Sequence, residues 1–121
     1  MVIIKAVYRD NERESMEFIA SLTMDNCIDK EKEIKGCSIE WEESENNYTK
    51  WQFTVTPDEG HDAYIEWTDG SSQKTTIDLM KRNIVVGATF KRRDANHGDS
   101  SYEITSVTMY NVTGQFATPS H

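Results

Sequence analysis

Hydrophobic and polar residues alternate with a period of two through the centre of the chain. The alternation is strict over residues 37–43 and 49–55, continues over 62–68 with one ambiguous position, Tyr64, and is weaker over 73–79. Because successive side chains of a strand point to opposite faces, each segment predicts a half-buried β-strand. Turn-forming residues separate the segments at 44–47, 57–60 and 69–72. The pattern therefore predicts a four-stranded antiparallel meander.

The alternation also suggests a register for this meander. The simplest pairing places Trp41 opposite Trp51, and Trp51 opposite Trp67. On the other face it puts Glu42 beside Lys50, and directly opposed opposite charges stabilise a sheet by a few tenths of a kcal/mol. A slip by one residue would turn every apolar side chain to the wrong face. We therefore predict that the three tryptophans are neighbours on one face.

The flanking segments predict further strands. Residues 2–8, 84–91 and 101–110 are rich in strand-forming residues. The apolar phase of the last segment shifts between Ile104 and Val107, which indicates either a bulge or burial on both faces. Residues 16–24 alternate as a strand would, although a short helix capped by Asn11 is an alternative. A second short helix is possible within 25–35, ended by Gly36.

These segments predict one mainly β domain over residues 1–121. An antiparallel meander of seven to eight strands, with at most one or two short helices, must bury its apolar face by curling into a barrel or folding as a sandwich. The strand number and alternation resemble those of small lipocalin-like barrels, which is a similarity of fold class alone. The polar tail 111–121 is expected to be flexible.

The net charge and the composition limit the classes of molecule that the protein is expected to bind. The formal net charge is -8 and the pI about 4.8, so the phosphate backbone of nucleic acids is repelled, whereas a basic protein partner is permitted. The chain contains no apolar run of the roughly 20 residues that a membrane helix needs, and its first residues do not form a signal peptide. We therefore expect a cytoplasmic protein without membrane partners, in which Cys27 and Cys37 are free thiols.

No motif predicts catalysis. The chain lacks a phosphate-binding glycine loop and a glycine-flanked serine nucleophile. His61 beside Asp62, and His97 near Asp94 and Asp99, fit polar surface loops better than a general base or a metal site. We therefore expect a non-enzymatic protein with no catalytic residue, no metal and no cofactor. The basic clusters at 81–82 and 91–93 are better explained as solvated charges than as an anion site.

The tryptophan row carries the only specific functional hypothesis. A flat row formed by Trp41, Trp51 and Trp67 would suit a small apolar or aromatic ligand, and ligand sites are concave, mostly apolar and common at barrel mouths. The alternative is that the three tryptophans form part of the hydrophobic core beneath a covering segment. A second hypothesis is an acidic interaction module, such as an inhibitor, immunity or assembly protein, that meets a basic partner. Its surface would be the outer strip around Glu40, Glu42, Glu43 and Glu45.

Overall fold

Eight antiparallel strands close into a barrel in the computed structural model, which describes residues 1–58, 62–70, 74–95 and 98–110. Each strand pairs with the next, and β8 closes the barrel on β1. The predicted all-β meander is confirmed, as a barrel. The strands are β1 Val2–Tyr8, β2 Ser15–Ala20, β3 Ile34–Glu42, β4 Asn47–Thr56, β5 Ala63–Trp67, β6 Thr75–Ile77, β7 Thr89–Asp94 and β8 Gly98–Met109.

The interior of the barrel is apolar from its middle to one end. Phe18, Phe53 and Phe90 are fully buried at mid-height, on three different strands. At the end where β6 leads into β7, the connecting segments supply buried residues that close the barrel: Ile28, Leu79, Met80 and Ile84. Leu79–Lys81 is a short 3-10 turn. The other end, where β1 meets β2 and β3 meets β4, remains open and is called the mouth below.

Several local predictions are confirmed. Residues 15–20 form a strand rather than a helix. The bulge lies where the apolar phase shifts, because Lys5 pairs with Ser106 and Ala6 with Ile104, which leaves Thr105 as the extra residue. Cys27 and Cys37 are both free.

Other local predictions need correction. Residues 25–33 form turns rather than a helix, with an isolated bridge between Leu22 and Ile28. The strand predicted over 84–91 begins only at Thr89, because Ile84 closes the barrel end and Gly87, at a φ of 96°, lies in a turn. The tail 111–121 lies outside the described residues. In the described ranges, no helix has the length and apolar character required to cross a membrane.

The predicted register of β3 and β4 is wrong. Trp41 pairs with Tyr48, and Trp51 pairs with Ser38. The observed register differs from the predicted one by an odd number of residues, so Trp41 and Trp51 lie on opposite faces of the sheet. Between β4 and β5 the shift is by two residues, because Phe53 rather than Trp51 pairs with Trp67. Trp51 and Trp67 therefore still share the inner face.

The turn between β3 and β4 explains the different register. The predicted pairing of Glu42 with Lys50 would leave residues 43–49 unpaired, whereas the observed pairing of Glu42 with Asn47 leaves only 43–46. Asn46 takes the left-handed conformation, with a φ of 49°, which asparagine tolerates better than most residues. The N–H of Glu45 donates to the carbonyl of Glu42 at 3.2 Å. The tighter turn gains backbone hydrogen bonds that the predicted register would lose.

A glycine on the inner face of β3 makes room for this register. Gly36 pairs with Phe53, whose aromatic ring lies over it. A Cβ atom added at Gly36 would lie 2.8 Å from that ring and would clash with the backbone carbonyl oxygen of Glu17. The glycine is therefore required by close packing and not by an unusual backbone angle.

We expect Gly36→Ala to destabilise the barrel. Neither the buried ring of Phe53 nor the strand backbone at Glu17 can move freely, and overpacking of this kind costs about 1–3 kcal/mol. Urea denaturation measures the loss. Lys35→Ala, at the exposed neighbouring position, is the control and should stay within about 0.5 kcal/mol of the parent. Equal stability of the parent and Gly36→Ala would contradict the close approach.

Candidate ligand-binding site

The mouth of the barrel contains a cavity of about 570 Å³. Cavities that bind small ligands typically measure about 300–1,000 Å³, and an eight-stranded barrel is just wide enough to hold one small molecule. Four aromatic residues line the cavity: Tyr8, Trp51, Trp67 and Tyr102. Four carboxylates also line it: Glu14, Glu40, Asp69 and Asp94. Arg92 and Ser100 complete the described lining.

The aromatic lining continues into the core without a break. Tyr8 stacks on Tyr102 at 5.4 Å between ring centroids, and Tyr102 stacks on Phe90 at 5.7 Å. On the other side of the cavity Trp67 meets Phe53 edge to face at 5.5 Å. Because buried rings beneath them hold Tyr102 and Trp67, the cavity is largely preformed.

A buried polar network forms part of the cavity wall. Arg92 is 6% exposed and Asp94 8%. The Nε of Arg92 donates to Oδ2 of Asp94 at 3.1 Å, and its Nη1 donates to the hydroxyl oxygen of Ser38 at 3.0 Å. The hydroxyl of Thr75 donates to Oδ1 of Asp94 at 2.9 Å. Buried charges are tolerated when they are paired and hydrogen-bonded in this way.

Arg92 also contacts the aromatic lining. Its guanidinium carbon lies 5.4 Å from the centroid of Trp67, within the range of a cation–π interaction. The guanidinium also lies close enough to the phenol of Tyr102 to influence its pKa. Burial is the main reason why the pKa of Tyr102 rises to about 12, with Arg92 acting in the opposite direction. Tyr102 is therefore a neutral phenol throughout the physiological pH range.

Two carboxylates face each other across β2 and β3. Ser15 pairs with Ile39, so the next positions in this register are Glu14 and Glu40. Desolvation by burial, followed by the negative charge of Glu40, raises the pKa of Glu14 above its usual value of 4.5, although Arg92 lowers it. Directly opposed like charges destabilise a sheet. This pair therefore costs folding free energy and is a local conflict of the kind found at functional sites.

We expect Glu14→Gln to stabilise the protein near neutral pH. A carboxyl group whose pKa is higher in the folded than in the unfolded chain binds its proton more tightly when folded, so its ionisation lowers the free energy of unfolding as pH rises through that interval. The variant lacks this loss. Urea denaturation at about pH 7 and about pH 4 should show that the stability of the variant relative to the parent is higher at the higher pH. A difference that does not change with pH would show that Glu14 does not experience the proposed environment.

The structure separates the three tryptophans that the sequence grouped. Trp51, 39% exposed, and the half-buried Trp67 line the cavity. Trp41 lies on the outer face, where Tyr48 meets it edge to face at 5.0 Å and the guanidinium of Arg13 lies 4.7 Å from its ring centroid. Of the three tryptophans in the proposed row, only Trp51 and Trp67 therefore line the cavity.

The acidic strip predicted for a protein partner is also divided. Glu40 lies on the inner face of β3 and lines the cavity, because the register places the even-numbered residues of this strand inside. Glu42 shares that face and is half-buried, whereas Glu43 and Glu45 are exposed in the turn. The continuous outer strip on which the interaction hypothesis was based is therefore not formed.

Of the ten described residues that line the cavity, only Trp51, Trp67 and Glu40 belong to a surface that the sequence predicted to bind a ligand or partner. Tyr8 continues the inward phase of Ile4 and Ala6 on β1, but Tyr102, on which it stacks in the cavity, comes from the other end of the chain. Arg92 was assigned to a surface cluster, although its spacing from Phe90 already places both residues on one face. The inward orientation of Glu14 and Tyr102 can be deduced from the same alternation of faces once the closure of the barrel is known.

The other candidate chemistry is not brought together. Arg82 pairs with Asp78 at 2.6 Å and Arg93 with Asp99 at 2.8 Å, so the basic clusters do not combine into an anion site. His61 and His97 lie outside the described residues. Within the described ranges, no three His, Cys, Asp or Glu side chains are grouped as metal ligands.

Comparison with known proteins gives no relative from which a function could be transferred. The chain matches no protein-family model, no curated protein and no solved structure.

Proposed function

We propose that this barrel is a non-enzymatic binding protein that holds a small apolar or aromatic molecule in its mouth. The observation that carries the proposal is the cavity of about 570 Å³ whose aromatic lining is anchored to the buried core. Trp51 and Trp67 would contact the flat face of the ligand. Trp41, on the outer face, has no part in the site.

The exposure of Trp51 supports a binding role over a packing role. Its ring is 39% exposed, whereas Phe53, two residues along the same face of β4, is 2% exposed. A large aromatic side chain that faces a concave cavity loses further surface to water when a ligand stacks on it, and this burial favours binding. The cavity therefore begins just above Phe53.

The polar groups of the cavity suit recognition better than catalysis. Arg92 and Asp94 bond to each other and to buried hydroxyl groups, so they form a fixed wall. A few fixed polar groups in an aromatic cavity orient a ligand. The free Cys27 and Cys37 fit a reducing compartment, and we propose the cytoplasm as the location.

A calorimetric titration with neutral aromatic compounds tests the proposal. We use tryptophol and 1-naphthaleneethanol, which carry a flat ring and no charge. The intact protein should bind at least one of them saturably with one-to-one stoichiometry. In Trp51→Ala the affinity should fall about tenfold or more, since lost stacking on one aromatic face is worth roughly 1–3 kcal/mol.

Trp41→Ala is the matched control, because it removes the same side chain from the other face of the same hairpin. Its affinity should stay within about twofold of the parent. Equal loss in the two variants would rule out a site at Trp51, and so would absence of saturable binding of these neutral compounds and of their ammonium analogues.

A further inference from the structure

We propose that the ligand of the mouth is an organic cation, an aromatic or alkyl ammonium, whose charge is held by Glu14 and Glu40 while its apolar part stacks on Trp51 and Trp67. This inference rests on the proposed function and specifies its ligand class. It depends on three features of the cavity: its charge balance, the placement of two carboxylates and the way in which it already accommodates a cation.

The charge balance of the cavity is negative. Its described lining has one cationic side chain, Arg92, and four carboxylates. The chain as a whole has a net charge of -8, which adds to the attraction of cations at long range. An anionic ligand would enter against this field.

Arg92 is poorly placed to compensate an anionic ligand. Its Nε bonds to Asp94, and its Nη1 bonds to Ser38. A carboxylate or phosphate ligand would have to displace these buried partners. The positive charge of Arg92 is therefore already balanced by Asp94 within the cavity wall.

Glu14 and Glu40 are placed to hold a positive charge. They occupy opposed positions next to the pair of Ser15 and Ile39, and both line the cavity. In the described part of the chain, neither side chain forms a hydrogen bond or an ion pair with another side chain. Two like charges held face to face on a half-buried wall are relieved when a cation binds between them.

The cavity already shows how it accommodates a cation. The guanidinium of Arg92 lies 5.4 Å from the centroid of Trp67 and donates to the carboxylate of Asp94. The same combination of an aromatic face and a carboxylate is expected for a ligand ammonium at Trp51, with Glu40 and Glu14 as the carboxylates. Electron-rich indole faces attract cations more strongly than neutral groups.

Three indole compounds of matched shape and different charge distinguish the possibilities by calorimetry: tryptamine with an ammonium, tryptophol with a neutral hydroxyl and indole-3-acetate with a carboxylate. We expect tryptamine to bind about tenfold or more tightly than tryptophol, and indole-3-acetate to bind weakest. The advantage of tryptamine should decrease as salt is added.

The double variant Glu14→Gln/Glu40→Gln tests the assigned carboxylates. It should bring the affinities for tryptamine and tryptophol within about twofold of each other. Glu17→Gln is the control, because it removes the same charge from the outer face of β2, and it should keep the preference for tryptamine.

The outcomes separate the two proposals. Tryptophol or indole-3-acetate binding as tightly as tryptamine would overturn the cation inference and leave the aromatic site intact. A preference for tryptamine that survives in the double variant would also overturn it. Saturable binding of none of the three would refute the site itself, and the cation inference with it.

Discussion

Phe53→Ala should lose most of the stability of the barrel. The ring of Phe53 is 2% exposed, lies over Gly36 and contacts the rings of Phe18 and Trp67 at 5.7 and 5.5 Å. Truncation of a buried phenylalanine to alanine typically costs about 3–5 kcal/mol, because the neighbours do not fill the space that remains. Domains of this size have a free energy of unfolding of about 5–15 kcal/mol, so the loss is a large fraction of the total.

Trp51→Ala is the matched comparison for this prediction. It removes a larger side chain from the same face of the same strand, two residues away, but from a position that is 39% exposed. Its cost should be about 1 kcal/mol, the centre of the distribution for single substitutions. Urea denaturation of both variants gives the two losses. Similar losses would show that Trp51 is part of the core and that the mouth does not begin above Phe53.

Arg92→Met should destabilise the barrel about as much as Phe53→Ala does. The variant keeps a long apolar side chain against Trp67 but leaves the buried Asp94 without the guanidinium to which it bonds at 3.1 Å. Removal of one partner of a buried ion pair typically costs about 3–5 kcal/mol. The free energy of unfolding from urea denaturation measures this loss.

A double-mutant cycle separates the pair interaction from the packing of the two side chains. Arg92→Met/Asp94→Asn removes both charges, and replacement of a whole buried pair is often close to neutral. We expect the double variant to be more stable than Arg92→Met alone, with a coupling of about 1–3 kcal/mol. Additive losses would show that the two charges do not interact in the folded protein.

The fold class was accessible from the sequence because its signal is local. Strict alternation identified the strands of the meander, and the change of phase between Ile104 and Val107 located the bulge opposite Lys5 and Ala6. The choice of a barrel over a sandwich was not accessible in this way, because closure depends on the pairing of β1 with β8, at the two ends of the described chain.

The site was accessible only in part, because it depends on register. Apolar residues of β3 occur in both phases: Ile34 is inside, whereas Ile39 and Trp41 are outside. Choosing the phase of the larger residues gave the wrong face for Trp41. The deciding features, a short turn at 43–46 and the fit of the Phe53 ring over Gly36, involve a backbone angle and a tertiary contact that alternation does not contain.

Trp51 and Trp67 do not pair with each other, but the prediction that they share one face is correct for a simple reason. The error in the register of β4 and β5 was by two residues, which preserves the face. Glu40 was predicted on an outer acidic strip but lies in the wall of the cavity. The predicted register of β3 was wrong by an odd number of residues, which places each side chain on the opposite face.

The three indole N–H resonances of the protein provide the most direct test of the central claim, that the mouth of the barrel binds the ligand. A two-dimensional ¹H–¹⁵N spectrum resolves one indole signal for each of Trp41, Trp51 and Trp67, assigned by single Trp→Phe variants. Titration with whichever of tryptamine and tryptophol binds more tightly should shift the signals of Trp51 and Trp67 saturably, with a common Kd, and leave that of Trp41 on the outer face in place. A saturable shift of Trp41 with Trp51 and Trp67 unchanged, or no saturable shift of any of the three, would contradict the account.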